Sequence, residues 1–459
     1  MSPDLLDRLP ISKPAYSRRG FLKRTVVGLA AAPLACVQEE LPLDFVIVGA
    51  GVAGLYSALL LEEKGFRGVI VEARDRIGGR IWTLDQLPGQ PEAGGRLIGA
   101  SNSRLRGLCE RLGLSLTPVP SAASEPLRYR DRQPLTPWPN GQTPINLLDG
   151  YLGQLLPLEP STAWTSPDAS QFDRPLGELL RDLGASEREL ALIEAAAGAN
   201  ELCSTSTLSA LRDAQLRRED AGRYARIAGG NSRLPEALYE AIESTIFTHT
   251  PIAEIRQRRD RVVVRTPDGF EYAGRVAIIT APFAALRNVT IFADLDAPIR
   301  DAIDHLPYTA LTQAFLIPAG SQLHQRPPDI WTDTDIERIT PFLNDAGTIQ
   351  SLMAWSDGAA AERLDDVPRE ELSGRILALL EAIQPDTEVD VAQIVSWDTD
   401  PWAGGSQAYF GPGQIRDFVP AMTRPHGRLY FAGSHTAVGS AGMEGALESA
   451  ERAVEQATT

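Results

Sequence analysis

The sequence predicts an α/β fold built on a parallel β-sheet, and three segments near the start of the chain predict it. Residues 44–48 (DFVIV) form a short β-rich apolar run that is typical of a buried strand. A glycine-rich turn leads from this run into residues 55–65 (LYSALLLEEKG), where apolar side chains recur with helical periodicity. A second apolar run follows at residues 68–71 (GVIV). Strand, helix and strand in this order predict a βαβ unit.

The turn after the first strand carries glycines with G-x-G-x-x-G spacing at Gly49, Gly51 and Gly54. One glycine permits the tight turn, one lets the backbone approach a pyrophosphate, and one lets the helix pack on the strand. The helix N-terminus is then directed at the phosphate charge. Glu72 ends the second strand about 20 residues later, where a carboxylate can hold ribose hydroxyls. An acid here, rather than an arginine, disfavours a 2′-phosphate, so the sequence predicts a Rossmann-like dinucleotide site.

Length and composition describe a soluble globular protein with a large core. The chain has 459 residues, which suggests two or three folding units of roughly 150 residues each. A net charge of −16 argues against nucleic acid and anionic lipid as partners, because both need a basic surface. The acidity either aids solubility or favours cationic substrates. The three cysteines are too few and too scattered for a disulfide framework or a metal site, so no metal is expected.

The N-terminus carries an export signal. Residues 17–23 (SRRGFLK) match the twin-arginine export pattern of bacteria, and the apolar run at residues 25–35 is far shorter than the roughly 20 residues that span a bilayer. Residues 1–36 are therefore predicted to be a signal peptide that the twin-arginine export machinery reads, which places the mature protein in the periplasm or outside the cell. Two alternatives remain for its processing: cleavage near Ala35, or lipidation at Cys36, the one route to membrane attachment.

Residues 72–80 (EARDRIGGR) resemble the second signature of the flavin-containing amine oxidase family, which includes monoamine, polyamine and L-amino-acid oxidases. The likeness continues in family order through residues 92–99 (EAGGRLIG), 229–234 (GGNSRL), 250–255 (TPIAEI), 277–286 (AIITAPFAAL), 397–406 (WDTDPWAGGS) and 429–454. The resemblance implies a discontinuous Rossmann-like FAD-binding domain plus an α+β substrate domain of the amine oxidase type. It assigns residues 42–120, 226–290 and 425–459 to the FAD-binding domain and residues 121–225 and 291–424 to the substrate domain.

The same resemblance implies the residues that contact FAD. Besides Gly49, Gly51, Gly54 and Glu72, they are Arg74, Arg80, Gly94, Gly95, Arg96, Ile252, Gly433, Ser434 and Met443. The cysteine that binds flavin covalently in some family members is replaced by Ser406 in this chain. FAD is therefore expected to be held without a covalent bond.

The family reaction removes a hydride from the carbon next to an amine and delivers it to flavin N5. The imine then hydrolyses, and O2 usually reoxidises the flavin to give H2O2, with a quinone as the alternative acceptor. This chain lacks several features of the best-known members. Gln407 and Gly442 occupy the positions of the two aromatic rings that flank the substrate in monoamine oxidases, although a register shift would leave Tyr409 to serve as one of them. Gln313 aligns with a lysine that holds a water near N5, and glutamine can hold a water but cannot act as a base.

Three residues are the candidates for contacting the substrate: Gln313, Arg96 and Trp402. Arg96 either binds a substrate carboxylate, which would favour an amino acid, or serves an ion pair or FAD itself. Trp402 is expected to line the pocket, whereas Trp397 is more often a core residue in this family. His435 is either a proton carrier near neutral pH or a packed residue beneath the flavin.

These observations predict an exported FAD-dependent amine oxidoreductase that oxidises a primary or secondary amine, or an L-amino acid, to the imine. Two alternatives remain open from the sequence. One is a desaturase or porphyrinogen-oxidase-like enzyme that acts on a substrate without an amine. The other is a flavin-binding accessory protein with a degenerate pocket.

Overall fold

The computed structural model describes residues 43–119, 127–130, 133–134, 143–155, 163–194, 200–319, 330–332, 334–344, 347–383 and 388–459. The predicted signal peptide, with Arg18, Arg19 and Cys36, lies outside the described residues. No helix of the described part combines the length and the apolar character needed to cross a membrane.

The helices and strands of the described residues follow one another along the whole chain. The helices are α1 (Val52–Glu63), α2 (Ser103–Arg111), α3 (Pro144–Leu152), α4 (Leu176–Asp182), α5 (Glu187–Glu194), α6 (Thr207–Asp220), α7 (Arg233–Ala241), α8 (Phe283–Leu286), α9 (Ala297–His305), α10 (Gly358–Asp365), α11 (Arg369–Ile383), α12 (Ile415–Thr423) and α13 (Gly442–Thr458). The strands are β1 (Leu43–Val48), β2 (Gly68–Val71), β3 (Ile98–Gly99), β4 (Leu116–Pro118), β5 (Leu127–Arg130), β6 (Gln133–Pro134), β7 (Tyr224–Ile227), β8 (Thr245–Phe247), β9 (Glu254–Gln257), β10 (Val262–Arg265), β11 (Glu271–Ile279), β12 (Thr290–Phe292), β13 (Leu311–Pro318), β14 (Ile330–Trp331), β15 (Arg338–Leu343), β16 (Ile349–Asp357), β17 (Val389–Ser396) and β18 (Leu429–Phe431).

The predicted βαβ unit is present as β1, α1 and β2. Strand β1 lies between β11 and β2 and runs parallel to both. The helix begins at Val52, three residues before the periodic run, because Gly51 takes the N-cap position. It ends at Glu63, since Gly65 adopts a left-handed φ of +85° that stops helical propagation.

This unit is the centre of a mixed sheet. Within the described residues the sheet has the order β12-β9-β10-β11-β1-β2-β8, and β18 pairs in parallel with β11. Alternate residues of β1 enter two different apolar clusters: Val46 and Val48 pack on one side, and Phe45 and Ile47 on the other. Both faces are therefore covered, as a buried parallel sheet requires, and this explains why β1 reads as a continuous apolar run.

A second sheet has the order β17-β13-β16-β15-β14-β5-β6 in the described part of the chain. Strand β13 pairs antiparallel with both β16 and β17, and helices α10 and α11 contact the sheet. A third, small sheet has the order β3-β7-β4. Segments from the predicted pieces 42–120, 226–290 and 425–459 thus share the first sheet, and the exact domain boundaries stay predictions.

Candidate active site

A cavity of about 350 Å³ lies where three parallel strands of the first sheet end. Gly49 follows β1, Glu72 follows β2 and Thr280 follows β11, and all three residues line the cavity. Loops at the carboxyl ends of parallel strands meet at one edge of the sheet, which is the usual ligand site of such folds. The cavity also reaches Trp355 and Trp397 of the second sheet, so it joins the two sheets.

The three glycines of the turn have three different surroundings. Gly49 has a φ of +106°, and a Cβ there would lie 2.7 Å from Thr280 Oγ1. A Cβ on Gly54 would lie 2.0 Å from the Gly49 carbonyl oxygen, so only glycine lets α1 pack this closely on the turn. A Cβ on Gly51 would meet nothing within 4 Å, because the open space beside it belongs to the cavity. No side chain caps the N-terminus of α1, which leaves its first N–H groups available to an anion in the cavity.

Glu72 ties this turn to the second strand. Its Oε2 accepts a hydrogen bond from the Ala50 N–H at 2.7 Å, and its Oε1 accepts one from the Arg74 N–H at 2.8 Å. The residue is 4% exposed and lines the cavity. Each carboxylate oxygen keeps a further lone pair, so Glu72 can also accept hydrogen bonds from hydroxyl groups of a ligand.

Arg74 and Arg80 both line the cavity but have different protein partners. Arg74 forms an ion pair with Asp400, with Nη2 and Oδ2 2.7 Å apart. Arg80 donates from Nη1 to the Ser406 carbonyl at 2.9 Å and from Nη2 to the Ser434 hydroxyl at 3.4 Å. Burial lowers the pKa of the Arg80 guanidinium, which nevertheless stays protonated because arginine is so weakly acidic. A desolvated cation in this position favours an anionic ligand.

The Gly94–Gly95 turn forms another close wall of the cavity. A Cβ on Gly94 would lie 2.0 Å from the Arg80 carbonyl oxygen, and one on Gly95 would lie 3.0 Å from Met443 Sδ. Gly94, Gly95 and Met443 line the cavity together with Ile252, Gly433 and Ser434. Arg96 is not among the described residues that line it, and its backbone carbonyl accepts a hydrogen bond from Asn231 Nδ2 at 3.1 Å.

Of the two other predicted substrate contacts, Trp402 lies in the cavity lining and Gln313 does not. Trp402 lines the cavity and is 36% exposed. Gln313 is 1% exposed on β13 and does not line the cavity; its Nε2 lies 3.1 Å from Met353 Sδ. Its Oε1 has no hydrogen-bond partner among the described residues.

The positions that correspond to the missing aromatic pair both face the cavity, since Gln407 and Gly442 line it. Tyr409 does not line it: the residue is 6% exposed, and its hydroxyl lies 3.3 Å from Ser204 Oγ. Among the described residues, three tryptophans line the cavity: Trp355, Trp397 and Trp402. Trp397 is also a core residue, as predicted: it is 1% exposed and donates from Nε1 to the Ala93 carbonyl at 2.6 Å.

His435 is a packed residue. Its ring lies 4.6 Å from the ring of Phe283, between centroids, and neither nitrogen has a hydrogen-bond partner in the described part of the chain. Burial, followed by the positive charges of Arg80 and Arg452, lowers the pKa of His435 to about 3. The imidazole is therefore neutral at physiological pH and does not act as a proton carrier there.

Four residues that line the cavity carry no signal in the sequence: Arg212, Asp213, Trp355 and Asp357. Arg212 and Asp213 lie within α6, and Trp355 and Asp357 lie at the end of β16. Their neighbours in the chain form no motif, so only the packing of α6 and β16 around the cavity reveals them. Among the described residues, no group of three or more His, Cys, Asp or Glu side chains is arranged to hold a metal ion.

Comparison with known proteins decides the family. The model of the flavin containing amine oxidoreductase family matches residues 52–458. The chain belongs to this family. It is 25% identical to human amine oxidase [flavin-containing] B, across 90% of this chain and 85% of that protein. It is 24% identical to amine oxidase [flavin-containing] A of Equus caballus, across 90% of this chain and 84% of that protein.

Solved structures of similar proteins confirm the predicted fold class. Cyclohexylamine oxidase from Brevibacterium oxydans superposes with a TM-score of 0.76 at 20% identity, over 91% of this chain and 99% of that chain. Putrescine oxidase bound to putrescine superposes with a TM-score of 0.74 at 20% identity, over 90% and 98% of the two chains. The protein is thus an α/β flavoprotein with the amine oxidase fold, and an oxidoreductase of the type that acts on amines.

The described residues fit FAD, the cofactor of this family. The space beside Gly51 and Gly442 is open, since a Cβ on either would meet nothing within 4 Å. The α1 N-terminus and Arg80 provide the positive potential that a pyrophosphate needs. Of the described cysteines, Cys109 is buried in the core and Cys203 is exposed, and neither lines the cavity, whereas Ser406 does. These positions agree with FAD held without a thioether bond.

Proposed function

We propose that this protein is an exported FAD-dependent oxidase that converts a primary or secondary amine, or an L-amino acid, to the imine with O2 as the electron acceptor. The observation that carries the proposal is the single cavity that joins the glycine turn of the first sheet to a chamber walled by Trp355 and Trp397. FAD, when bound, accepts the hydride from the carbon next to nitrogen. The chain itself must orient the amine, exclude water and manage its proton.

The chamber can exclude water because its walls are largely apolar. Leu311 is 4% exposed and Trp397 1% exposed, and both belong to one apolar cluster of the core. Hydrogen bonds hold this wall in place: the Trp397 N–H donates to the Leu311 carbonyl at 2.9 Å, and the Ser406 N–H donates to the Thr309 carbonyl at 2.9 Å. A rigid, dry wall favours the neutral amine, the form that gives up a hydride.

Arg212 is the better candidate than Arg96 for contacting a carboxylated substrate. Arg212 lines the cavity, is 8% exposed and lies with its guanidinium 5.0 Å above the Trp164 ring. Its Nη2 bonds the Ser440 carbonyl, and its Nε has no hydrogen-bond partner among the described residues. This observation supports an L-amino acid as the second candidate substrate. Arg212 would then bind the substrate carboxylate, the contact that the sequence suggested for Arg96.

Anaerobic mixing of the purified yellow protein with a panel of amines and L-amino acids tests the chemistry. We expect at least one amine to bleach the flavin absorbance near 450 nm, about the value usual for oxidised flavins. Admission of air should then restore the colour and produce H2O2. A carboxylate-dependent substrate should lose activity in Arg212→Met but keep it in Arg96→Met. Bleaching only by cyclic or polyene compounds without nitrogen would contradict the proposal.

Export is tested by replacing the arginine pair. With Arg18→Lys and Arg19→Lys together, we expect the protein to remain in the cytoplasm of a host with a twin-arginine pathway, whereas the wild-type chain reaches the periplasm. Cell fractionation followed by immunoblotting measures the difference. Cys36→Ser serves as the matched variant, since it should leave export unchanged; a loss of membrane association in this variant would indicate lipidation at Cys36 rather than cleavage near Ala35. Equal export of the lysine pair would refute this part of the proposal.

A further inference from the structure

Asp357 is a buried carboxyl group in the wall of the chamber. It is the last residue of β16, pairs with Leu311 of β13 and is 7% exposed. Asp357, Leu311 and Trp355 all line the cavity. Burying an ionisable group is costly unless it has a partner, so its presence in an otherwise apolar wall needs an explanation.

The partner of Asp357 is a second carboxyl group, that of Glu337. The Asp357 N–H donates to Glu337 Oε2 at 2.8 Å, and the two side chains are hydrogen-bonded to each other. Burial and then the like charge of Asp357 raise the pKa of Glu337, and burial raises the pKa of Asp357. Two carboxyl groups in contact do not both ionise readily, so Glu337 keeps its proton and the pair carries one negative charge once the pH exceeds the raised pKa of Asp357.

Two arginines lie near this pair. Arg338 follows Glu337 in the chain and pairs with Trp355 in the β15–β16 register, with its guanidinium 4.8 Å from the centroid of the Trp331 ring. Arg363 of α10 acts on Glu337, but its guanidinium is also bonded to Asp335, with Nε and Oδ1 2.8 Å apart. Asp335 also binds Arg375 of α11 at 3.2 Å. On the cavity side, the contact of Asp357 is the Trp355 indole, whose Nε1 lies 3.4 Å from Asp357 Oδ2. The negative charge of the pair is therefore only partly compensated by the described residues.

The residues around Asp357 also bear on the ligand that this part of the cavity suits. Gln313 lies opposite Trp355 in the β13–β16 register and therefore on the same face of the sheet as Asp357. It is 1% exposed, and its Oε1 is an acceptor without a donor in the described part of the chain. The rings of Trp355 and Trp397 add two electron-rich faces. The Asp357 carboxylate and the indole faces, which all line the cavity, together suit a cationic ligand.

We propose that Asp357, supported by Glu337, binds the ammonium group of the substrate and takes up its proton. This inference rests on the proposed function. An N–H bond of the ammonium breaks, an O–H bond forms on Asp357, and the electron pair stays on nitrogen. The positive and the negative charge disappear together, which a dry chamber favours. Glu337 keeps its own proton and acts as a positioning residue, donating it to Asp357 until that transfer occurs.

The matched variants Asp357→Asn and Glu337→Gln test this assignment on the FAD-loaded enzyme. With an amine substrate found by the anaerobic panel, Asp357→Asn should lower kcat/KM about 30- to 100-fold at neutral pH, the usual effect of removing one partner of a buried charge pair. The loss should shrink as the pH rises toward the pKa of the amine, because the solution then supplies neutral amine. Glu337→Gln keeps the charge of Asp357, so we expect a loss below about tenfold. The hydrogen bond from Glu337 lowers the pKa of Asp357, and an amide is a weaker donor than a carboxylic acid, so the ascending limb of the pH profile should move to higher pH.

Glu362 is an exposed carboxyl group on the neighbouring helix α10, so Glu362→Gln is the control. Its kcat/KM should match that of the wild type. Flavin absorbance of each variant shows whether the cofactor is retained. A uniform loss for Asp357→Asn at all pH values would mean a structural role, and activity within twofold of the wild type would mean no role; either result overturns the inference. The proposed function itself fails separately, if no amine reduces the flavin of the wild-type enzyme.

Discussion

Replacing Gly51 by aspartate is expected to abolish FAD binding while leaving the fold intact. The φ of Gly51 is −70°, which any residue can adopt, and a side chain would extend into open space in the cavity. Aspartate is also a favourable N-cap residue, so the helix α1 should not be weakened. The carboxylate would nevertheless occupy the space beside the helix N-terminus and repel the pyrophosphate. We expect FAD affinity to fall at least about 100-fold, or about 2.7 kcal/mol.

Titration of the apoprotein with FAD, followed by flavin fluorescence, measures this loss. Urea unfolding of the apoprotein should show a midpoint equal to or above that of the wild type, because the cap is improved. Gly374→Asp is the matched control: Gly374 lies on α11, is exposed, and also has nothing within 4 Å of an added Cβ. If Gly51→Asp bound FAD as tightly as this control, the glycine turn would not be the cofactor cradle.

The second large effect is expected at Arg80. This side chain lines the cavity and holds two other parts of its wall, the Ser406 carbonyl and the Ser434 hydroxyl. Arg80→Met removes both bonds and the buried positive charge, so we expect FAD affinity to fall about 100-fold, the range typical of a lost buried charge contact. Arg80→Lys keeps the charge but loses the planar guanidinium that donates two hydrogen bonds, so its FAD affinity should fall about tenfold.

The same fluorescence titration ranks these variants, and thermal unfolding of the apoprotein reports any damage to the fold. Arg111→Met is the control, because Arg111 forms an exposed ion pair with Glu63 and neither residue lines the cavity. An Arg80→Met protein that bound FAD within threefold of the wild type would show that the guanidinium is a support for the loops and not a cofactor ligand.

The local features of the cofactor turn could be predicted because their causes are local. The spacing of Gly49, Gly51 and Gly54 follows from contacts between residues only a few positions apart, and one such contact is that of Gly54 with the Gly49 carbonyl. The apolar runs of β1 and β2 follow from burial on both faces of the sheet. The helix α1 was also predicted, although it begins three residues before the predicted run and ends two residues before Gly65.

The residues that line the far side of the cavity, away from the glycine turn, could not be predicted in this way, because they come from distant parts of the chain. Gln313 aligned with a reactive position of the family and shares a sheet face with Trp355, yet its amide is buried against Met353 and does not line the cavity. Arg96 follows the Gly-Gly turn but does not line the cavity, whereas Arg212 on α6 lines it together with Arg74 and Arg80. Nothing in the neighbourhood of either residue in the sequence distinguishes these outcomes.

The amino-acid sequence by itself determined that this chain binds a dinucleotide through a βαβ turn and that its motifs are those of the amine oxidase family. Those properties depend on glycine spacing and apolar periodicity, which act over a few residues. Only the tertiary structure decided which charged groups face the cavity, because the pairing of β13 with β16 and the contact between Glu337 and Asp357 bring together side chains that are far apart in the sequence. The burial that follows from this packing changes their protonation, and hence their chemistry.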